Sequence, residues 1–280
     1  MLVAGVDVGA ATAKTAIVLD GKFISCSVIP TGHIVTEAAK NVTVDALKKG
    51  GYTFKDLDYV VSTGYGRHHV KFTNKAVTEI ICHARGANYM MPQVRTIIDI
   101  GGQDSKVIHV NETGRVIDFV MNDKCAAGTG RFLEVMAQVL DTTIDQMGNL
   151  SLKSQTPSDI TSTCTIFAET ELISLRAEMT PREDIIAGLH RAVARRVVLM
   201  GQVVGYREQV AFTGGVAMNQ GIRFFLEETL KMPVIVPKQP QIIGALGAAL
   251  LATETRVGKV YERKGDMALE NVIQTRNNNS

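Results

Sequence analysis

The sequence predicts an α/β protein made of two related halves, and an internal repeat is the main evidence. The pattern Asp-x-Gly-x-x-x-x-Lys occurs at residues 7–14 and again at residues 99–106. Each copy follows a short apolar run, which is typical of a buried strand entering a turn, and each continues into a second apolar run. Each half therefore opens with a β-hairpin, whereas a Rossmann unit has a helix after its first glycine turn. A repeat at this spacing is stronger evidence than either loop alone.

The first half is predicted to begin with three strands, over residues 2–9, 10–21 and 22–29. A further apolar run at 59–64 predicts another strand, and a stretch with helical character lies on each side of it. These two predicted helices cover residues 33–49 and 74–90.

The second half repeats the strand order and then adds a third glycine turn. Strands are predicted at 94–102, 103–110 and 116–121, and the apolar spacing of residues 132–140 predicts a helix. Residues 209–221 predict a strand, a Gly-Gly turn and the start of a helix. The remaining predicted elements are the helix 222–231, the strand 233–237 and the helix 241–251, which is rich in small residues.

Composition excludes several classes of protein. The chain has 280 residues, 45% of them hydrophobic and 21% charged, which is an ordinary globular mixture. A net charge of +2 gives no broad basic surface for nucleic acid. The sequence has no apolar stretch of about 18 residues, which argues against a membrane span, and Asp7 comes too early for a signal peptide. Four cysteines without a spacing framework favour a reducing, cytoplasmic location.

Cys125 and Cys164 have a setting that the other two cysteines lack. Each precedes a helical pattern, so a helix is predicted to begin at or just after each thiol. Unpaired N–H groups at such a position lower the pKa of a thiol and favour a bound anion. The alternative is a small buried hydrophobe, the usual role of a free cysteine. An iron–sulfur or zinc centre needs about four ligands, so two copies of the chain about a two-fold axis are the simplest way to complete one. Cys26 and Cys82 lie in apolar runs and are predicted to be structural.

The three glycine turns predict a nucleotide site. Backbone amides of glycine turns approach phosphate groups closely. In the first loop, Lys14 can neutralise phosphate charge and Thr12 can donate a hydrogen bond. The turn at Gly214 and Gly215 opens a helix and suits the adenosine or its α-phosphate.

Acidic residues of the same loops are candidates for metal binding and catalysis. Asp7, Asp99 and Asp104 are suited to bind Mg²⁺, mostly through water. Gln103 or Asp104 can position an attacking water. For Lys106, the expected position is a solvated strand face or a place supporting its loop.

Residues 7–14, 99–106 and 213–221 resemble the phosphate-1, phosphate-2 and adenosine motifs of the actin and sugar-kinase superfamily. Within that superfamily, residues 121–133 and 162–169 closely resemble the ATP-dependent activators of 2-hydroxyacyl-CoA dehydratases. The ATP-binding subunits of benzoyl-CoA reductases belong to the same family. Residues 63–67 and 99–104 match as well, and the resemblance covers roughly residues 3–253.

The resemblance implies an actin-like, ribonuclease-H-like ATPase fold, with two related subdomains of mixed sheets around a nucleotide cleft. One subdomain would comprise residues 1–95 and about 243–265. The other would comprise residues 96–242 and carry the cluster-binding helices, and residues 266–280 would form a flexible tail.

The resemblance also implies a function. A homodimer would share one 4Fe–4S cluster, held by Cys125 and Cys164 of each chain. Binding and hydrolysis of ATP to ADP, with Mg²⁺, would drive one low-potential electron to an acyl-CoA dehydratase or reductase component, and ferredoxin or flavodoxin would reload the cluster. By position, the catalytic residues would be Asp7, Gln103 and Asp104. The nucleotide-binding residues would be Gly9, Ala10, Ala11, Thr12, Lys14, Gly101, Gly102, Gly214, Gly215, Val216, Asn219 and Gly244.

One departure from the family pattern affects the first loop. Ala10 and Ala11 stand where relatives usually carry Ser-Thr, which leaves Thr12 as the hydroxyl group of this loop.

Two other functions are compatible with the nucleotide motifs. A small-molecule kinase could use Asp104 as its base. A filament subunit or chaperone-like ATPase would need no iron and should form concentration-dependent polymers or bind peptides. The paired cysteine motifs distinguish these functions from an iron–sulfur ATPase, because neither has a use for them.

Overall fold

The computed structural model describes residues 1–161 and 164–256, and these form two compact units. One unit contains Met1–Gly86 and the described residues from Gly244 onward, and the other contains Ala87–Ile243. Each unit has its own five-stranded sheet and its own hydrophobic core. The stretch predicted as a flexible tail, residues 266–280, lies outside the described residues.

The first unit is built on a mixed sheet with the strand order β3-β2-β1-β4-β5. The hairpin strands β1 and β2 and their neighbour β3 pair antiparallel, whereas β1, β4 and β5 pair parallel. Helix α1 covers this sheet with a face of small and branched residues that includes Ala39, Val42 and Ala46. The elements are β1 Leu2–Val8, β2 Thr12–Leu19, β3 Lys22–Pro30, α1 Val35–Gly50, β4 Tyr59–Thr63, β5 Lys75–Ala76, α2 Glu79–Met90 and α8 Ile243–Arg256.

The second unit repeats this architecture. Its sheet has the order β8-β7-β6-β9-β10, which is the connectivity of the first sheet shifted along the chain. The strands are β6 Thr96–Ile100, β7 Ser105–Val110, β8 Val116–Asn122, β9 Val210–Thr213 and β10 Val234–Ile235. The helices are α3 Gly130–Val139, α4 Ile144–Ser151, α5 Thr165–Ala177, α6 Arg182–Gly201 and α7 Gln220–Leu230.

The internal repeat is confirmed at the level of strand register. Asp7 faces Lys14 across the hairpin of β1 and β2, and Asp99 faces Lys106 across the hairpin of β6 and β7. Equal spacing in the sequence has therefore produced equal pairing, because each turn joins its two strands in the same register. The fold prediction of two related α/β halves with mixed sheets is confirmed.

Small residues in α8 allow backbones to approach closely, as predicted. A Cβ atom on Gly247 would lie 1.7 Å from the carbonyl oxygen of Cys82, and one on Gly5 would lie 2.0 Å from that of Ala245. Any larger residue at either position would push α8 away from α2 or from β1.

Several elements differ from their predictions. The helix predicted from residue 74 begins at Glu79, because Lys75 and Ala76 pair with β4 as a short strand. Helix α6 was not predicted, although its buried residues Ile185, Leu189 and Val193 have the spacing of a helical face. In the described part of the chain, no helix is both long enough and apolar enough to span a membrane.

Candidate functional site

In the first unit, the Asp7 loop is closed by its own backbone and by a lysine. Gly9 N donates to Thr12 O at 3.1 Å, which makes a tight turn between β1 and β2. Lys14 Nζ lies 3.3 Å from Asp7 Oδ2, and both side chains are largely buried. Ala10 and Ala11 are exposed at the tip of the turn. The loop therefore presents backbone and one neutralised carboxylate rather than a row of hydroxyl groups.

Gly244 lies beside the same carboxylate. A Cβ atom on Gly244 would be 3.1 Å from Asp7 Oδ2 and 3.1 Å from His83 Nε2. The first unit thus brings Asp7 and Gly244 together, although they lie at opposite ends of the chain. Thr12 begins β2 and is half-buried at the far side of the turn.

In the second unit, Lys106 joins two carboxylates. Its Nζ lies 3.2 Å from Asp99 Oδ2 and 2.9 Å from Asp104 Oδ2. The other oxygen of Asp99 accepts a hydrogen bond of 2.8 Å from Thr213 Oγ1 of β9. Because the Lys106 side chain is only 2% exposed, the prediction of a solvated strand face is wrong, and the prediction that it supports the loop is confirmed.

The residues of the second loop have different surroundings. Gly101 N donates to Asp104 O at 2.9 Å, which closes the turn. Gln103 is exposed at its tip, whereas Gly102 and Asp104 are half-buried. Asp104 is thereby held on both its backbone and its side chain, and Gln103 is presented to solvent.

The third glycine turn follows β9. Gly214 has a φ of +87°, and its N–H donates to Pro240 O at 3.0 Å. Gly215 and Val216 continue as a short 3₁₀ turn, and Asn219 caps α7 by accepting from Ile222 N at 3.1 Å.

A buried hydrogen-bond chain supports this cap. Ser151 Oγ donates to Gly148 O at 3.0 Å, so it accepts from His190 Nδ1 at 2.9 Å. His190 Nε2 then accepts from Asn219 Nδ2 at 3.3 Å. Burial lowers the pKa of His190 to about 3, so the ring is neutral. No role for His190 could be predicted from the sequence, because a single histidine within a helix is not part of a recognisable motif.

Cys125 lies in a loop between β8 and α3. Helix α3 begins only at Gly130, so the prediction of a helix N-terminus at or just after Cys125 is wrong. Asn122 at the end of β8 bonds the cysteine backbone on both sides: its Oδ1 accepts from Cys125 N at 3.2 Å, and its Nδ2 donates to Cys125 O at 2.9 Å. Arg196 Nε of α6 donates to Ala127 O at 3.0 Å.

Cys164 matches its prediction. It is the N-cap residue of α5 and is exposed. Its helix buries only Ala168 and Leu172, whereas Ile166, Phe167 and Ile173 are 72%, 67% and 56% exposed. Cys164 therefore stands at the tip of a helix with an uncovered apolar face.

The N-terminus of α3 is bonded to the second glycine loop. Gly130 N donates to Gly101 O at 2.9 Å, and Arg131 N donates to Gly102 O at 2.7 Å. The first backbone N–H groups of α3, which have no partner within the helix, thus donate hydrogen bonds to the candidate phosphate loop rather than to a thiol. The segment that carries Cys125 and the Gly101–Gly102 loop form one hydrogen-bonded structure.

Cys125 and Cys164 are the candidate ligands of an iron–sulfur cluster. Cys125 and Cys164 are free and reachable, and within the described residues no group of three or more His, Cys, Asp or Glu side chains could hold a metal alone. A 4Fe–4S cluster needs four thiolates, so these two thiols are half of the number that it would require. The other cysteines are poor donors: burial raises the pKa of Cys26, and it raises that of Cys82 to about 12.

The fold places the chain in a known class. A ROK family glucokinase from Streptomyces griseus, solved with glucose and AMPPNP, has a TM-score of 0.54 at 13% identity and covers 91% of this chain and all of that one (100%). This likeness concerns the fold alone, which is that of the actin-like ATPases and sugar kinases.

The family follows from a closer match. Residues 4–252 match the BadF/BadG/BcrA/BcrD ATPase family, and the chain belongs to that family. The resemblance predicted from the motifs is therefore confirmed.

Similar proteins are named as activators of a dehydratase or as a subunit of a reductase. A 2-hydroxyisocaproyl-CoA dehydratase activator from Clostridioides difficile is 43% identical over 90% of this chain and 95% of its own length. A solved activator of this dehydratase from Clostridium difficile, with bound ADPNP, has a TM-score of 0.88 at 42% identity, covering 92% of this chain and 97% of that one. A benzoyl-CoA reductase subunit from Thauera aromatica is 34% identical over 73% of this chain and 74% of its own length.

Proposed function

We propose that this protein hydrolyses ATP and delivers a low-potential electron to an acyl-CoA enzyme, as the activator of a 2-hydroxyacyl-CoA dehydratase. Membership of an ATPase family and 43% identity to a dehydratase activator support the ATP-dependent activation. The two reachable thiols support the redox part. Ferredoxin or flavodoxin would supply the electron, and the partner would be the dehydratase component.

The nucleotide-binding part of the proposal uses both Asp-x-Gly loops. Gly9, Ala10, Ala11 and Thr12 with Lys14 in the first unit, and Gly101 and Gly102 in the second, offer backbone amides and charge for phosphate groups. Asp7 and Asp104 are each paired with a lysine, and each keeps oxygen lone pairs for the water shell of Mg²⁺. Exposed Gln103, with Asp104, would orient the attacking water.

The adenosine would lie against the third glycine turn. Gly214, Gly215 and Val216 supply a backbone surface, and the lack of a side chain at Gly244 avoids a contact of 3.1 Å with Asp7 Oδ2. Asn219 caps α7 and so sets the direction of the helix that follows the turn.

A 4Fe–4S cluster bound by Cys125 and Cys164 of two chains would supply the one-electron chemistry. The exposed apolar residues of α5 beside Cys164 support a homodimer, because such a face is stabilised when another protein covers it. In the dimer the thiolates of each chain would hold the cluster, and α5 would exclude water from it.

One observation supports the proposed coupling of ATP hydrolysis to the candidate cluster ligand Cys125. The bonds from Gly130 and Arg131 to Gly101 and Gly102 connect the candidate phosphate loop directly to the Cys125 segment. A change of loop conformation on hydrolysis would therefore reach this segment through short, strong contacts. ATP drives such a change only if it binds the two conformations with different affinity.

The decisive experiment measures iron, acid-labile sulfide and ATP hydrolysis on protein purified without oxygen. About four irons per dimer are expected, together with ATP turnover. Cys125→Ala is expected to lose the iron and keep ATP binding, whereas Cys26→Ala, the matched control, keeps both. Wild-type protein that stays free of iron after anaerobic reconstitution yet turns over ATP would overturn the proposal and favour a small-molecule kinase.

The second candidate is an ATP-binding subunit of a benzoyl-CoA reductase, which the 34% identity to the Thauera aromatica protein favours. The two candidates are separated by supplying reduced protein and ATP to each kind of partner. Activation of a dehydratase component supports the first candidate, and activation of an aromatic-ring reductase component alone supports the second.

A further inference from the structure

Asn122 and Arg196 hold the backbone around Cys125, and we propose that they are positioning residues for this thiol. The inference rests on the proposed function, in which Cys125 ligates a shared cluster. A metal ligand must be held in one orientation by residues around it, because a loosely held ligand binds metal poorly. Cys125 lies in a loop, so its orientation depends on side chains that reach it from regular elements.

Asn122 is at the end of β8 and uses both ends of its amide group. Its Oδ1 accepts from Cys125 N at 3.2 Å. Its Nδ2 donates to Cys125 O at 2.9 Å and to Ala127 O at 3.3 Å. One side chain thus bonds to the cysteine backbone before and after the Cα atom, which fixes the direction of the Cα–Cβ bond.

Arg196 holds the same loop from a different element. Its Nε donates to Ala127 O at 3.0 Å from helix α6. Its aliphatic stem lies along the next residue, since a Cβ atom on Gly128 would be 3.4 Å from Arg196 Cδ. Ala127 O therefore has two donors, one from β8 and one from α6. The loop can shift only if bonds to both elements break.

A cavity borders both positioning side chains. Its volume is about 420 Å³, and Asn122 and Arg196 contribute to its wall together with Met121, Val197 and Met200. Because the two side chains face open space on one side, shortening either one does not require the surrounding core to collapse. The effect of a substitution should be concentrated on the Cys125 loop.

Cys164 provides an internal reference. It caps α5 without a side-chain hydrogen bond and is exposed, whereas Cys125 is half-buried in its braced loop. Loosening the loop should raise the reactivity of Cys125 and leave that of Cys164 unchanged. General unfolding would raise the reactivity of all thiols, including Cys82, which is fully buried.

The first test is the rate of thiol alkylation in the full chain after anaerobic removal of iron, followed by mass spectrometry of each cysteine. Asn122→Ala loses all three hydrogen bonds to the loop and is expected to speed alkylation of Cys125 by about tenfold or more. Asn122→Asp keeps an acceptor for Cys125 N but loses both donor bonds, so an intermediate rate is expected. The matched control is Asn111→Ala, because Asn111 bonds the turn at the other end of the same hairpin.

The second test compares two adjacent arginines. Arg196→Gln is expected to speed alkylation of Cys125 severalfold. Arg195→Gln is the control, because Arg195 is exposed and its guanidinium lies 3.8 Å from the carboxylate of Asp159. If both arginine variants and Asn122→Ala alkylate Cys125 at the wild-type rate, the positioning role is overturned.

The third test measures the spectrum and the rate of iron loss of the iron-loaded protein. Asn122→Ala is expected to bind iron but to change the electron paramagnetic resonance spectrum of the reduced cluster and to lose iron faster, whereas Asn111→Ala matches the wild type. An unchanged spectrum and an unchanged rate of iron loss would overturn the inference. Wild-type protein that never binds iron would instead overturn the proposed function, and the alkylation rates would still test the loop.

Discussion

At the scale of single residues, buried polar groups are held by partners from distant parts of the chain. Lys106 is satisfied by two carboxylates, one across its hairpin and one in its own loop. A buried charge is tolerated only when it is paired in this way. His190 is satisfied differently, as a neutral ring between a serine and an asparagine. Lys106 therefore stabilises the loop of its own hairpin, and His190 stabilises the cap of the helix that follows the third glycine turn.

Neutral His190 makes stability depend on pH. Burial lowers the folded-state pKa to about 3, so the unfolded chain takes up a proton near pH 6.5 that the folded chain does not. Stability is thus complete above pH 6.5 and falls as the pH drops toward about 3. Between pH 7 and pH 5 this one proton lowers the free energy of unfolding by about 2 kcal/mol. In urea unfolding, His190→Gln is expected to lose about 2 kcal/mol less than the wild type over this interval.

Its control is His68→Gln, which changes an exposed histidine of a turn. This variant should have the pH dependence of the wild type. An equal loss of stability in wild type and His190→Gln between pH 7 and pH 5 would contradict the assignment of a neutral His190.

At the scale of elements, α5 and α3 differ in how their N-termini are used. The first amides of α3 bond to the Gly101–Gly102 loop. In contrast, α5 begins at exposed Cys164 and leaves an apolar face uncovered. If the proposed function holds, α3 connects the redox site to the nucleotide, and α5 covers the redox site in the dimer.

Because the apolar face of α5 is uncovered, we expect a substitution on this face to weaken dimer formation. Phe167→Ser removes an exposed aromatic ring next to Cys164, so it should weaken the dimer about tenfold or more without disturbing the core. Sedimentation equilibrium of the iron-loaded protein measures the change. Phe224→Ser is the matched control, because Phe224 is an exposed ring on α7. Equal dimer affinity in the two variants would place the interface elsewhere.

At the scale of the whole molecule, the candidate functions are divided between the two units. Asp7, Lys14 and Gly244 belong to the first unit, while both candidate cluster ligands belong to the second. The second unit also contains its own Asp-x-Gly loop, so the nucleotide and redox residues are linked within one unit. Substitutions in the first unit should therefore affect ATP chemistry and spare the iron.

Lys14→Ala tests this division. Loss of the lysine removes the cation beside Asp7, so ATP hydrolysis should fall about tenfold or more, the usual cost of a charged hydrogen bond. Iron content should stay at the wild-type level. Lys22→Ala, at an exposed position on β3, is the control. Unchanged ATP turnover in Lys14→Ala would remove this lysine from the nucleotide site.

The hairpins, turns and helix starts were predictable from short stretches of sequence. The spacing of Asp7 and Lys14, repeated at Asp99 and Lys106, predicted both hairpins and their relation, because strand register depends on the turn and on alternation along the strand. The glycine turn at Gly214 and the helix after Cys164 were predictable for the same reason, since their signals lie within a few neighbouring residues.

Contacts between groups that are far apart in the sequence became visible only in the folded chain. The position of Lys106 between two carboxylates could not be predicted from the amino-acid sequence, because the burial of this side chain depends on β9 and on the whole sheet. The loop of Cys125 was misjudged as a helix start, because Asn122 on β8 and Arg196 on α6 determine its conformation. The chain of hydrogen bonds from Ser151 through His190 to Asn219 likewise could not be predicted from any local sequence pattern. Hydrogen bonds between residues far apart in sequence form only after the chain has folded, so no short-range periodicity encodes them.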